Sequence, residues 1–264
     1  GKPTSIIDMD LREVVKMIRG KKGTKVTLTI LRQGAKTETF DVTIVRDKID
    51  IKDQAAKISY ETRKTPQGKT VKIGVIDLPS FYGGGGGKSA RSCSADVKKL
   101  LEDANAKKAD AIVLDLSRNG GGILEEAVKM TGLFIRKGGV VATKDSQAAV
   151  QVLSDDDDSV TWKGPLVVLT SRLSASASEI LAGAIKDYKR GLIVGGEHTF
   201  GKGSVQSLQG LPLKLGAMKV TIGMFFLPGG KSTQHAGVAS DIVMPSAFNT
   251  DDLGEKFLDY SLPP

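Results

Sequence analysis

One cysteine, Cys93, in 264 residues leaves no partner for an internal disulfide, so the redox compartment stays undecided. No apolar run approaches the ~20 residues of a membrane span, which excludes stable insertion through a helix. The opening Gly1-Lys-Pro-Thr has no apolar stretch of the signal-peptide kind, and the chain reads as an internal piece of a longer precursor. The two histidines, His198 and His235, sit among loop-forming residues, which argues against a histidine-based triad. Aromatic residues make up 5% of the chain and are not interleaved with the basic ones, so the net charge of +8 reads as solvated surface and no nucleic-acid partner is expected. That charge is uneven: residues 1–48 hold 11 Lys and Arg against 6 Asp and Glu, a surface suited to gathering acidic or carboxylate-ended peptides.

Two tempting ligand motifs fail on their details. The acidic run Asp155–Asp158 lacks the central glycine and closing glutamate of a calcium loop, and reads as a solvated turn. Gly196-x-x-x-x-Gly201-Lys202 has phosphate-loop spacing, but Gly203 stands where Ser or Thr would hold magnesium. The following Ser204-Val-Gln-Ser-Leu alternates like a strand instead of opening a helix. No cofactor and no metal are expected.

What is present points to an α/β enzyme. With 40% hydrophobic residues the chain can bury a large core, as one main domain with a smaller attachment. Val71–Leu78 begins a sheet, Gly83–Gly87 is a glycine run expected to be a flexible surface loop or lid, and Val97, Leu100, Leu101 and Ala104 recur at helical spacing. Two strand–turn–helix units follow. In the first, Ala111–Leu116 is the strand, Ser117–Gly122 a glycine-rich turn, and Leu124, Ala127, Val128, Thr131, Phe134 and Ile135 the helix. In the second, Pro165–Thr170 is a buried strand, and Ile180, Leu181, Ala184, Ile185 and Tyr188 mark a helix. Two such units in one sheet bring both turns to the carboxyl ends of the strands, where ligands bind in open parallel sheets.

Ser176 lies at or just before the second helix, where free N–H groups and the positive end of the helix dipole can hold an oxyanion. A serine hydroxyl attacks a carbonyl only when a base takes its proton. Lys202, flanked by Gly201 and Gly203 and preceded by Phe200, offers an amine one strand away. A lysine is a base only when neutral, so its pKa of about 10.4 has to be lowered by burial or by a second cation. Gln206, four residues on, shares its face under period-two alternation and can orient a neutral amine, whereas a carboxylate there would keep it charged. Residues Ala177, Gly121 and Gly122 can offer N–H groups to the same oxyanion. Two bland readings stay open: Ser176 as a helix cap in a capping box with Glu179, and the triple glycine as a helix-entry turn needing positive φ.

The segments Ser-Ala-Ser-Ala-Ser-Glu-Ile from Ser174, Thr-Phe-Gly-Lys-Gly-Ser-Val-Gln from Thr199 and Asp-Leu-Ser-Arg-Asn-Gly-Gly-Gly from Asp115 occur in one chain. With Gly164–Leu169, Asp187-Tyr188 and Val238–Pro245, they make the chain resemble the carboxyl-terminal processing peptidases, above all their tail-specific protease branch. The resemblance implies Ser176 as nucleophile, Lys202 as general base, Gln206 as the residue positioning it, and Ala177 with a glycine of the 120–122 turn as oxyanion hole. It implies a crotonase- and ClpP-like spiral core of repeated β-turn-α units. It also implies ATP-independent endopeptidase action on unfolded or C-terminally tagged proteins with apolar C-termini, and a periplasmic location. The alternative is a catalytically impaired peptide-binding scaffold of the same fold. Oligomeric state is not legible. Asp187 matches a family position and is expected to pair with Arg190. One extra residue within Gly195–His198 departs from the family's spacing before the lysine.

The first segment has its own pattern. Leu11, Val14, Val15 and Ile18 make a helical face ending at Gly20, Thr24–Leu31 alternates as a strand, and a turn at Gln33-Gly34 leads to Thr37–Val45. This order resembles the second half of a PDZ domain, which binds a peptide C-terminus by strand addition. The expected domains are thus a partial PDZ-like unit at 1–48, the protease core at 49–248 and a tail with a short helix at 249–264.

Overall fold

The computed structural model describes residues 3–32, 37–47, 55–83, 91–212, 215–246, 250 and 252–264; the side chains of residues 11 and 12 are outside that description. The Gln33-Gly34 turn and residues 84–87 of the glycine run therefore lie outside the described residues. The chain divides into two compact units, Gly1–Asp53 and Gln54–Pro264.

In the first unit, helix α1 (Leu11–Ile18) precedes an antiparallel hairpin of β1 (Lys25–Arg32) and β2 (Glu38–Val45). Val26, Leu28 and Ile30 are its half-covered positions, the period-two signature of a one-sided sheet. Arg46 ties the helix to the hairpin by donating to the carbonyls of Met17, Ile18 and Lys25. No described residue of this unit is fully buried.

The second unit is built on a six-stranded sheet. From one edge to the other run β12 (Ile242–Val243), β9 (Leu192–Gly195), β8 (Leu166–Thr170), β5 (Ala111–Asp115), β4 (Thr70–Asp77) and β3 (Lys57–Lys64). All neighbours pair in parallel except β3, an antiparallel edge strand. Ile112, Leu114 and Val168 are fully buried, as expected of parallel strands covered on both faces. Helices α2 (Cys93–Ala106), α3 (Leu124–Gly132) and α4 (Ala177–Asp187) supply the rest of the core, with Val97, Leu101, Ala127, Met130, Ile180 and Leu181 packed in one cluster. A second, antiparallel sheet has the order β10 (Ser204–Gly210), β11 (Ala217–Phe226), β6 (Gly138–Asp145), β7 (Val150–Asp155). The pairing of β5 with β8, in register from Ile112 with Leu166 to Asp115 with Leu169, sets the glycine turn after β5 beside the serine turn after β8.

Several local expectations are corrected. The α3 periodicity runs to Ile135, but the helix ends at Gly132 because the Leu133 carbonyl accepts from Thr161 and Trp162 and the chain turns to meet them. Asp187 does not pair with Arg190. Its carboxylate accepts from Gly229 N–H (2.8 Å), while the Arg190 guanidinium donates to the carbonyls of Phe134, Trp162 and Gly164. Within the acidic run, Asp155 closes β7 with Oδ2 buried and without a hydrogen-bond partner, and burial raises its pKa; only Asp156–Asp158 form the solvated turn.

Candidate active site

The chain's approach to Ser176 is strained: φ is +57° and ψ −113°. A side chain in that region costs about 1–3 kcal/mol and persists only where its surroundings enforce it. The enforcement is visible. Ser176 N–H donates to Glu179 Oε2 at 2.7 Å, Ala175 N–H donates to the Asn119 carbonyl at 3.2 Å, and Gly121 packs against the turn. A Cβ on Gly121 would lie 2.7 Å from the Ala175 carbonyl oxygen and 2.9 Å from Ser176 Cβ, and its φ is +102°. Only glycine lets the two turns approach this closely.

The three serines of the motif separate by their partners. Ser174 Oγ donates to the Leu116 carbonyl (2.7 Å) and Ser178 Oγ to the Asn119 carbonyl (2.8 Å), and both residues are fully buried. Ser176, half-buried, lines a cavity of about 540 Å³ together with Ala177, Gly120, Gly122, Lys202 and Gln206. The capping-box reading holds: the Glu179 side chain accepts from Ser176 N–H, and the Ser176 side chain stands at the Glu179 N–H. The Glu179 N–H donates to the Ser176 carbonyl oxygen (2.8 Å), so it does not need the hydroxyl as its acceptor.

Lys202 is half-buried, and its Nζ donates to Gln206 Oε1 at 3.0 Å. Strand alternation alone does not bring the two together: the β10 register breaks between Val205 and Gln206, a bulge of the kind that re-aims side chains. Burial pushes the lysine pKa below its ordinary value. Lys219 acts in the same direction, and the carboxylates of Glu255 and Glu179 oppose it. Ser176 and Lys202 line one cavity, and no hydrogen bond joins their side chains. Dyads and triads without substrate are often long in this way and tighten on binding.

Sequence reasoning named Glu179 only as a capping-box partner and missed its hold on the lysine loop. Glu179 is completely buried, and its carboxylate accepts four hydrogen bonds. Oε1 takes Thr199 Oγ1 (2.6 Å) and Gly201 N–H (2.7 Å); Oε2 takes Ser176 N–H (2.7 Å) and Lys202 N–H (2.9 Å). One side chain thus fastens the backbone of the serine to that of the lysine. Burial pushes its pKa up to about 7, against the lowering effect of those four donors. Asn119, also fully buried, was likewise missed: Nδ2 donates to the Leu78 carbonyl and Oδ1 accepts from Gly121 N–H, both at 2.9 Å. That bond corrects one expectation, since the Gly121 N–H is occupied and Gly122 is the cavity-lining member of the expected pair. His198 and His235 hydrogen-bond to the Thr199 carbonyl and to Ser261 Oγ, and neither lines the cavity. Ser204 opens β10 as a strand, so the phosphate-loop spacing has no helix behind it.

The family model described as Peptidase family S41 matches residues 72–244, which includes every cavity residue named above. The chain belongs to peptidase family S41. Among curated relatives of this S41 chain, the tail-specific protease of Haemophilus influenzae is 43% identical over 97% of the chain and 36% of its own length. The carboxy-terminal-processing protease of Bartonella bacilliformis is 34% identical over 96% of the chain and 53% of its own. The chain therefore spans between about a third and about half of these relatives. Among solved structures, the photosystem II D1 C-terminal processing protease matches with a TM-score of 0.66 and 26% identity, over 95% of this chain and 66% of that one. Mature CPAF matches with a TM-score of 0.58 and 15% identity over 88% and 64%, a likeness of fold alone. The mixed α/β architecture is that of S41 protease structures.

Proposed function

We propose that this S41 domain is a serine endopeptidase in which Ser176 is the nucleophile and Lys202 the general base. The observation that carries the reading is the strained, cavity-facing Ser176 opposite a half-buried lysine bonded to the neutral amide of Gln206. As the Oγ–carbon bond forms, the hydroxyl proton passes to neutral Nζ, and the oxyanion is held by the N–H groups of Ala177, at the start of α4, and of Gly122, in the turn before α3. The resulting ammonium returns the proton to the leaving amine. Water, deprotonated by the same amine, then releases the acyl group and restores the serine. No cofactor or metal enters any step.

Substrates in this reading are unfolded or C-terminally tagged proteins with apolar C-termini, cleaved without ATP. The apolar lining of the cavity by Ile123, Leu124, Ile180, Val205, Ile222 and Phe225 supports an apolar side chain beside the scissile bond. The helix and hairpin of residues 1–48 fit the second half of a PDZ-like domain, the core of residues 49–248 fits a crotonase- and ClpP-like spiral whose parallel strands advance steadily across the sheet, and residues 249–264 follow as a tail. The location proposed is periplasmic, on the family resemblance; among the described residues no helix is long and apolar enough to cross a membrane.

The test is cleavage of an unfolded, apolar-tailed substrate by the chain and by its Ser176→Ala and Lys202→Ala variants. Each variant should lose activity by a factor on the order of 10⁴ or more; equal cleavage by all three discards the mechanism. The missing Ser176–Lys202 hydrogen bond favours a second reading, an impaired peptide-binding scaffold, which predicts binding of the same substrate without turnover by any of the three.

A further inference from the structure

Beyond β12 the chain returns to the active site. Segment Leu253–Leu262, with a single 3₁₀ turn at Glu255–Phe257, lies against the loop that carries Lys202. Glu255 N–H donates to the Phe200 carbonyl at 3.0 Å, and Arg172 Nη1 donates to the Leu253 carbonyl at 3.3 Å. Gln234, 1% exposed, bridges the two: its Oε1 accepts from Gly203 N–H (2.8 Å) and its Nε2 donates to the Leu262 carbonyl (2.7 Å). His235 Nε2 and Ser261 Oγ are 3.0 Å apart. From the inner side, Glu179 holds Gly201 and Lys202, Thr233 Oγ1 donates to the Lys202 carbonyl (3.1 Å), and His235 N–H donates to the Gly201 carbonyl (2.8 Å). Residues Phe200 to Gly203 are thereby gripped from two directions.

The composition of this grip is the reverse of a packing strap. A strap that merely covered core surface would bury its apolar residues. Here Phe257, Leu258, Tyr260 and Leu262 are 45%, 54%, 102% and 43% exposed, and the residues that are buried are Gly254 and the charged Glu255, the latter at 8%. A buried carboxylate is costly unless a positive charge or hydrogen bonds offset it, and a cation whose charge it opposes losing is Lys202.

We propose that segment Leu253–Leu262 is a clasp that sets the position and the charge of the base, with Gln234 and Glu255 as positioning residues acting through Lys202. The proposal rests on Lys202 being the base. Among the described residues, the charged groups that bear on its amine each have a sign: Glu255 from the clasp and Glu179 from α4 favour the ammonium, while Lys219 from β11, together with burial, favours the free amine. The clasp thus holds the loop in place and moderates how readily the lysine gives up its proton. Without Glu255 the amine is neutral at lower pH.

The primary variant is Glu255→Gln, which keeps the shape and removes the charge, made in the full chain. The midpoint for labelling of Lys202 by an amine-selective reagent, followed by peptide mass spectrometry, should move to lower pH. This readout is independent of catalysis and is repeated in a Ser176→Ala background. The acid limb of kcat/KM should move in the same direction. Gln234→Leu should lower kcat by on the order of 10- to 100-fold through misplacement of the amine, with a smaller change in KM. An unmoved labelling midpoint in Glu255→Gln, or full kcat in Gln234→Leu, overturns the proposal. So does unfolding of the core in either variant, followed by fluorescence of the buried Trp162, because a clasp at the rim leaves the core standing. Loss of the dyad reading itself would appear separately, as undiminished cleavage by Ser176→Ala.

Discussion

Replacing Glu179 with glutamine keeps the outline of the side chain and removes its titration, so it isolates the contest between burial and hydrogen bonding at the centre of the site. In the folded protein the carboxyl is pushed up from 4.5 to about 7, chiefly by burial. Between those two pH values the folded chain holds a proton that the unfolded chain has released. The stability this contributes is therefore fully present below 4.5 and is lost as pH rises through about 7. At about 1.4 kcal/mol for each tenfold change in proton affinity, the loss amounts to roughly 3 kcal/mol. The glutamine variant has no such slope. The measurement is denaturant unfolding of both proteins from pH 4 to 8, read by the fluorescence of Trp162, the sole tryptophan, which is 3% exposed. The stability of the wild type minus that of the variant should fall by roughly 3 kcal/mol across that window. Placed with its carbonyl oxygen toward Ser176 and Lys202, the amide turns its NH2 toward Thr199 and the Gly201 N–H, so the lysine loop loses one anchor and kcat/KM should drop by on the order of 10-fold or more. A stability difference that is flat, or that grows with pH, refutes the reasoning: the four donors would then outweigh burial.

Three further outcomes follow from the same geometry. Gln206→Glu places a carboxylate on the Lys202 amine, 3.0 Å away in the wild type, and should move the acid limb of the pH–rate profile to higher pH, whereas Gln206→Leu should lower kcat without that displacement. Gly121→Ala forces a Cβ to within 2.7 Å of the Ala175 carbonyl at φ +102°; it should cost about 1–3 kcal/mol in denaturant unfolding and reduce kcat by displacing Ser176. Asn119→Ala strands the Gly121 N–H and the Leu78 carbonyl in a buried site and should cost about 2–4 kcal/mol, seen as a lowered Tm.

The strand–turn–helix units were legible because their patterns are local. The runs Ala111–Asp115 and Leu166–Thr170 are too apolar for anything but covered strands, and Ile180, Leu181, Ala184 and Ile185 mark one helical stripe. Strands β6 and β7 escaped notice because they are polar on their open face, as at Val150–Asp155. Asp187 and Arg190 stand three residues apart and suggest a pair by spacing alone, yet each has a better partner from elsewhere in the chain: Gly229 for the aspartate, and three carbonyls for the arginine.

By itself the sequence determined the family, the parallel α/β core, and the residue types of the proposed serine–lysine site, since these follow from hydrophobic period and from motifs contiguous in the chain. Only the tertiary structure decided which hydroxyl of Ser174, Ser176 and Ser178 faces the cavity, and that Gly122 rather than Gly121 presents itself there. It also decided that Glu179, while holding the Ser176 N–H, reaches the Lys202 N–H 23 residues further along the chain, and that Glu255 N–H returns to the Phe200 carbonyl of the lysine loop. Such contacts depend on where distant backbone amides come to rest, and no periodicity in a linear chain records that.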